Sequence, residues 1–225
     1  MKVKFTNTIS ALVLACSALL ALPTANAYEA GDWIVRAGAA GVYPTGESDD
    51  IFPSVLGKGA KVEADYAWSL GLNFTYMATD NIGIELLAAW PFSHDIDCTG
   101  TISALGTCAE TKHLPPTLTA QYHFDTGTKW HPYLGLGINY TYFFDEDTKG
   151  TLADLGSDLS LSGSWGFAGE AGLDYEFDNN WLVSAQLWYI GIKPEATLSI
   201  DGVGTDKFDV SINPWVVMLG VGYKF

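Results

Sequence analysis

Apolar and polar residues alternate along most of this chain, and the alternation is cleanest at its end. Counting back by twos from the carboxy terminus gives Phe225, Tyr223, Val221, Leu219, Val217 and Trp215, all apolar or aromatic. The residues between them, Lys224, Gly222, Gly220, Met218 and Val216, are smaller or more polar on the whole. Period two is the signature of a strand with two unlike faces. One greasy face, closed by a terminal Phe, fits the last strand of an outer-membrane barrel, where apolar residues meet lipid and small or polar ones the lumen.

The same pattern predicts eight strands, at residues 32–43, 63–78, 82–92, 114–124, 130–144, 161–177, 181–193 and 208–225. The second is the clearest. Tyr66, Trp68, Leu70, Leu72, Phe74 and Tyr76 share one face; Asp65, Ser69, Gly71, Asn73 and Thr75 share the other. Connections after the second, fourth and sixth strands span about three to six residues, and the others about fourteen to twenty-one, the asymmetry of short periplasmic turns and long extracellular loops. The expected fold is all-β: an eight-stranded antiparallel transmembrane barrel with both termini on the periplasmic side. A soluble barrel of the lipocalin kind would hide its apolar face inside. Aromatics at strand ends, Trp33, Trp130, Trp181, Tyr175, Phe177 and Tyr223, instead make a membrane girdle.

The amino terminus agrees. Lys2 and Lys4 precede an apolar stretch from Ile9 to Leu22, and Ala25-Asn26-Ala27 is a cleavage site. Residues 1–27 are read as a secretory leader cleaved after Ala27, and residues 28–225 as the barrel. Cys16 loosely suggests a lipoprotein signal, but more apolar sequence follows it. Later in the chain no stretch approaches the ~20 apolar residues of a membrane helix, yet 48% of the residues are hydrophobic. The apolar residues are therefore dispersed, as a barrel requires. The net charge is −15, and −17 once Lys2 and Lys4 leave. That excludes a nucleic-acid partner, which needs clustered Lys and Arg.

The inward positions divide by height. Arg36, Asn73, Thr75, Glu85, Gln121, His123, Asp174, Ser184 and Lys224 fall toward the periplasmic end. Leu87, Ala89, Phe143, Trp188 and Ile190 fall above them. An eight-stranded barrel is just wide enough to be filled by its own side chains. The lower lumen is expected to be a polar plug of Arg36, Glu85, Glu170, Asp174, Gln121 and His123, with Arg36 paired to Glu85 and Glu170 because a buried charge needs a partner. The upper set suggests an apolar pocket or channel, although the same side chains could simply fill the core. Pro91, Pro115 and Pro116 flank one loop and cannot donate ladder hydrogen bonds. A local defect in the wall is expected there, as a sideways exit for a solute that cannot cross the plug.

Cys98 and Cys108 sit in a long loop facing an oxidising compartment, so a disulfide is expected, worth about 2.5–3 kcal/mol on the entropic model. Metal binding is not: His94 and His113 bracket the loop without a ligand spacing. Clusters such as Asp145-Glu146-Asp147 read as a solvated acidic surface, with Ca²⁺ or lipopolysaccharide bridging as the alternative. Outer-membrane barrels that act as enzymes need His, Ser and Asp converging near the outer surface. Only His94 and His113 lie there and no nucleophile elbow is present, so neither enzyme activity nor a cofactor is expected.

Several separated motifs add a family. Tyr76-Met77-Ala78-Thr79-Asp80-Asn81-Ile82-Gly83, His113-Leu114-Pro115-Pro116-Thr117-Leu118, Gly137-Ile138-Asn139-Tyr140-Thr141, Ser164-Trp165-Gly166 and Asn213-Pro214-Trp215 occur in an order that resembles the OmpW family of small outer-membrane proteins. The resemblance implies an eight-stranded barrel in a Gram-negative outer membrane, passing small hydrophobic compounds inward. It also implies that Leu87 and Trp188 narrow the passage. A structural, stress-response or receptor barrel without transport is the alternative. The expected partners are outer-membrane lipids and lipopolysaccharide, small hydrophobic solutes and the barrel-assembly machinery.

Overall fold

The computed structural model describes residues 28–178 and 180–225. The expected leader and its cleavage site lie outside the described residues. In chain order the elements are β1 (Trp33–Tyr43), α1 (Pro53–Leu56), β2 (Ala60–Ala64), β3 (Ala67–Met77), β4 (Ile82–Ala89), β5 (Phe92–Gly100), β6 (Thr107–Leu114), β7 (Thr117–His123), β8 (Trp130–Thr148), α2 (Gly150–Asp154), β9 (Ser157–Leu161), β10 (Ser164–Asp178), β11 (Trp181–Ile190), β12 (Glu195–Ile200), β13 (Gly204–Asp209) and β14 (Trp215–Lys224).

Eight of these strands close into an antiparallel barrel in the order β1-β3-β4-β7-β8-β10-β11-β14, with β14 returning to β1. Period two decides which way each side chain points. On β3, Trp68, Leu70, Phe74 and Tyr76 are exposed, while Asn73, Thr75 and Met77 are buried. On β14, Leu219 and Val221 are exposed, while Val216 and Met218 are buried. Phe167 is 83% and Leu136 76% exposed on the outer wall. That is untenable in water and ordinary against hydrocarbon. Trp33, Trp130 and Trp181 ring the short-turn end; Tyr66, Trp68, Trp90, Trp165 and Trp215 ring the other.

The long connections are not loops. Above the second ring of aromatics, β8 continues to Thr148 and carries β6, β5 and β2 beside it in turn. A separate sheet of β9, β12 and β13 faces this extension. Alternation continues past the membrane: Val62, Ile96, Cys98, Ala196, Leu198 and Phe208 are buried between the two sheets. The single segment expected at 208–225 accordingly divides into β13 and β14, broken near Pro214, where Asn213 takes φ 37°. The segment at 63–78 likewise divides into β2 and β3.

Among the described residues the wall is interrupted between β4 and β7 and between β1 and β3. The β4–β7 ladder ends at Leu87 opposite Thr117, and pairing resumes only at Phe92 opposite His113 on β5 and β6. No ladder pair joins residues 88–91 to residues 114–116, although Ala88 and Ala89 pair with β3 and Leu114 with β8. Their backbone groups turn to the strands on either side. Trp90 N–H donates to the Leu70 carbonyl (2.8 Å), and the Pro116 carbonyl accepts from Tyr140 N–H (3.1 Å) and Asn139 Nδ2 (3.1 Å). Pro91, Pro115 and Pro116 supply no donor with which to close this seam. The second interruption lies where β1 and β3 part above Val42 opposite Ala67, and Ser48 N–H meets the Val62 carbonyl further up. Tyr43 to Glu47 and Glu63 to Tyr66 frame that window, which has a volume of about 490 Å³.

Candidate functional site: an apolar cavity over a filled barrel

The two extramembrane sheets, with α1 and α2, enclose a cavity of about 160 Å³. Its wall is nearly all hydrocarbon: Ile51, Phe52, Ile96, Phe143, Leu198 and Phe208 are among its lining residues. Leu56, Leu105 and Leu155 both line it and reach solvent, so they mark its mouth. Cys98 and Cys108 form a disulfide in the same wall and join β5 to β6.

Below the cavity the lumen is filled. Leu87, Phe92, Phe143, Trp188 and Ile190 pack with Val42, Val216 and Met218 into one cluster, and Ala89 packs against it. Of the five residues expected to line a channel, Phe143 alone is in the cavity wall. Leu87, Trp188 and Ile190, each no more than 4% exposed, form its floor. The open space therefore lies in the cap, not in the upper barrel. Leu198 could have been found from the alternation within the connection after the seventh expected strand, and Phe208 heads the segment expected at 208–225. The indole nitrogen of Trp188 has no hydrogen-bond partner among the described residues.

Beneath the floor lies the polar plug. Arg36 is completely buried and reaches Asp174 with two nitrogens, Nη2 to Oδ2 at 2.6 Å and Nε to Oδ1 at 3.2 Å. Its Nη1 donates to Thr75 Oγ1 at 2.7 Å and lies 3.4 Å from Glu85 Oε2. The guanidinium also sits over the Tyr133 ring at 5.2 Å. Gly172 makes room for that ring; a Cβ there would lie 2.1 Å from it. Tyr28 closes the short-turn end, its hydroxyl donating to Asp174 at 2.8 Å.

The expected Arg36–Glu170 pair does not form. Register places Glu170 opposite Trp188, at the height of the apolar floor, whereas Asp174 lies opposite Ser184, closer to the level of Arg36. Glu170 instead accepts from Gln121 Nε2 (2.9 Å) and Thr119 Oγ1 (3.1 Å). His123 joins the plug through Gln121 Oε1 at 3.1 Å.

A closed barrel with this register, two aromatic rings and a lumen of this composition already specifies a class of outer-membrane protein. The model of the OmpW family matches residues 29–225. Outer membrane protein W of Vibrio cholerae is 45% identical over 215 residues, covering 94% of this chain and 97% of that protein. The Escherichia coli K12 protein of the same name is 45% identical over 220 residues, covering 96% and 99%. This chain belongs to the OmpW family. The crystal structure of OprG from Pseudomonas aeruginosa, at 42% identity, superposes with a TM-score of 0.82 over 90% of this chain and 99% of that one. As an OmpW-family barrel the protein resides in the Gram-negative outer membrane, with the short-turn end periplasmic and the cap extracellular.

Two histidines of the cap lie between its cavity and the seam. Burial pushes His113 down to about 3, with nearby His94 adding to the effect. Burial lowers His94 too, against a smaller opposing pull from the Asp65 carbonyl. Both rings are neutral in the folded cap, whereas unfolded histidine titrates near 6.5. Below that pH the unfolded state binds more protons, so this contribution to stability is complete above about pH 6.5 and is lost as pH falls toward 3. Hydrogen exchange of β5 and β6 amides, corrected for the intrinsic rate, should show protection that is flat above about pH 6.5 and declines below it. Amides of β1 and β14 should keep theirs.

Proposed function

We propose that this OmpW-family barrel admits small apolar molecules into its extracellular cavity and releases them sideways into the outer membrane through the seam between 88–91 and 114–116. The observation that carries this reading is the enclosed hydrocarbon-lined cavity directly above a wall interruption. An apolar cavity of about 150 Å³ stays dry and accepts a benzene-sized guest, and each CH₂ moved from water contributes roughly 0.8 kcal/mol. The floor and the buried charges of the plug oppose passage straight down, because a hydrophobic solute would have to displace satisfied ion pairs. The seam is flanked by Ala88, Ala89, Trp90 and Leu114, which suit an apolar solute. The window at Tyr43–Glu47 carries Glu47, Glu63 and Asp65 and suits one poorly.

The test is uptake of a hydrophobic fluorophore into liposomes carrying the protein, comparing wild type with Leu198→Glu. Leu198 lines the cavity on β12, outside the membrane span, so the barrel should fold and keep its heat-modifiable gel mobility. Uptake should fall to that of an empty bilayer. Equal uptake above the empty bilayer by both proteins would overturn the cavity as the route, and none by wild type would leave a barrel without transport as the reading.

A further inference from the structure

His94 and His113 share the inward face of β5 and β6. They sit one alternation step below Ile96 and Thr111 of the cavity wall, at the upper edge of the seam. The rings stack at 4.9 Å between centroids, and His113 also packs against Phe92 (5.4 Å) and Phe143 (5.8 Å). They are 3% and 4% exposed, and the Nε2 atom of each has no hydrogen-bond partner among the described residues. Buried polar atoms are nearly always bonded, so two orphans in one apolar layer call for an explanation. His94 Nδ1 lies 2.5 Å from the Asp65 carbonyl oxygen, which can only accept. Nδ1 therefore carries the proton, and in the neutral ring Nε2 is a bare acceptor.

We infer that His94 and His113 form a polar station on the route from cavity to seam, selecting apolar molecules that end in an O–H group. The fixed acceptor, His94 Nε2, needs a donor. Alcohols and protonated carboxylic acids supply one; alkanes, ethers and ketones do not. The oxygen of the same group can accept from His113 when that ring carries its proton on Nε2. The apolar tail stays among Ile96, Phe143 and the cavity wall. Thr111, whose hydroxyl is turned to the Lys112 carbonyl (3.4 Å), does not compete for the ligand.

This inference rests on the cavity-to-seam reading, and the experiment separates the two. Protein labelled with ¹⁵N in lipid nanodiscs is titrated with 1-octanol, 2-octanone and octane, following the imidazole nitrogens by long-range ¹⁵N–¹H correlation. 1-Octanol should move the His94 Nε2 resonance and bind about tenfold tighter than 2-octanone, the effect of one added hydrogen bond. His94→Phe preserves ring volume beside His113 and should bring octanol down to the affinity of octanone. His94→Leu, judged by the same ratio, serves if the first variant does not fold, because it too removes the acceptor that only an O–H ligand can use. Equal affinities with unmoved imidazole resonances would overturn the selection and leave the cavity reading intact. No saturable binding of any of the three would overturn both.

Discussion

Arg36→Met should cost the barrel about 3–5 kcal/mol, because it strips the counter-charge from carboxylates that have no access to water. Arg36, Asp174 and Glu85 are all at 0% exposure. Removing the guanidinium leaves Asp174 to the Tyr28 hydroxyl and Glu85 to the Thr75 hydroxyl, neither of which carries a counter-charge. The loss should appear as a lower urea midpoint for the folded, heat-modifiable band in lipid vesicles. Asp174→Asn added to Arg36→Met should recover part of it, since no unpaired charge then remains at the closest contact. Glu170→Gln should cost far less, because Gln121 and Thr119, not Arg36, hold that carboxyl. If Glu170→Gln proved as damaging as Arg36→Met, the plug would be organised around the wrong acid.

Why the plug was half legible follows from how register works. Alternation places Arg36, Glu85, Glu170 and Asp174 on the lumen face, because period two assigns a face without knowing the neighbour. It cannot say which acid stands level with Arg36. That depends on the stagger between β10, β11, β14 and β1, which is set by pairings across the barrel. The strands of the membrane span were legible for the same reason, since lipid enforces an unbroken two-residue pattern. The cap was not. Its strands carry the pattern too, as Ala196 and Leu198 on β12 show, but they lie among acidic residues and glycines that read as loop. Alternation alone consequently points to open space in the upper barrel. Leu87, Trp188 and Ile190 were correctly inward, yet inward in an eight-stranded barrel means packed against one another.

Floor and seam can be told apart by two variants with opposite effects. Trp188→Ala removes the largest side chain of the floor, whose burial is complete. A cavity of that size in a packed core costs about 3–5 kcal/mol, so the unfolding midpoint should drop sharply. Fluorophore uptake by the folded fraction should persist, because the cavity and its side exit are untouched and the charged plug still blocks the way down. Replacing Pro115 and Pro116 together with Ala should do the reverse. Two N–H donors return to a stretch facing 88–91, and each ladder bond recovered adds about 0.5–1.5 kcal/mol, so stability should hold or rise. Uptake should fall severalfold as the seam zips. Were uptake to follow Trp188 and ignore the prolines, the route would run through the floor, and the missing ladder pairs between Leu87 and Phe92 would be only the mark of a strand crossing from membrane to cap.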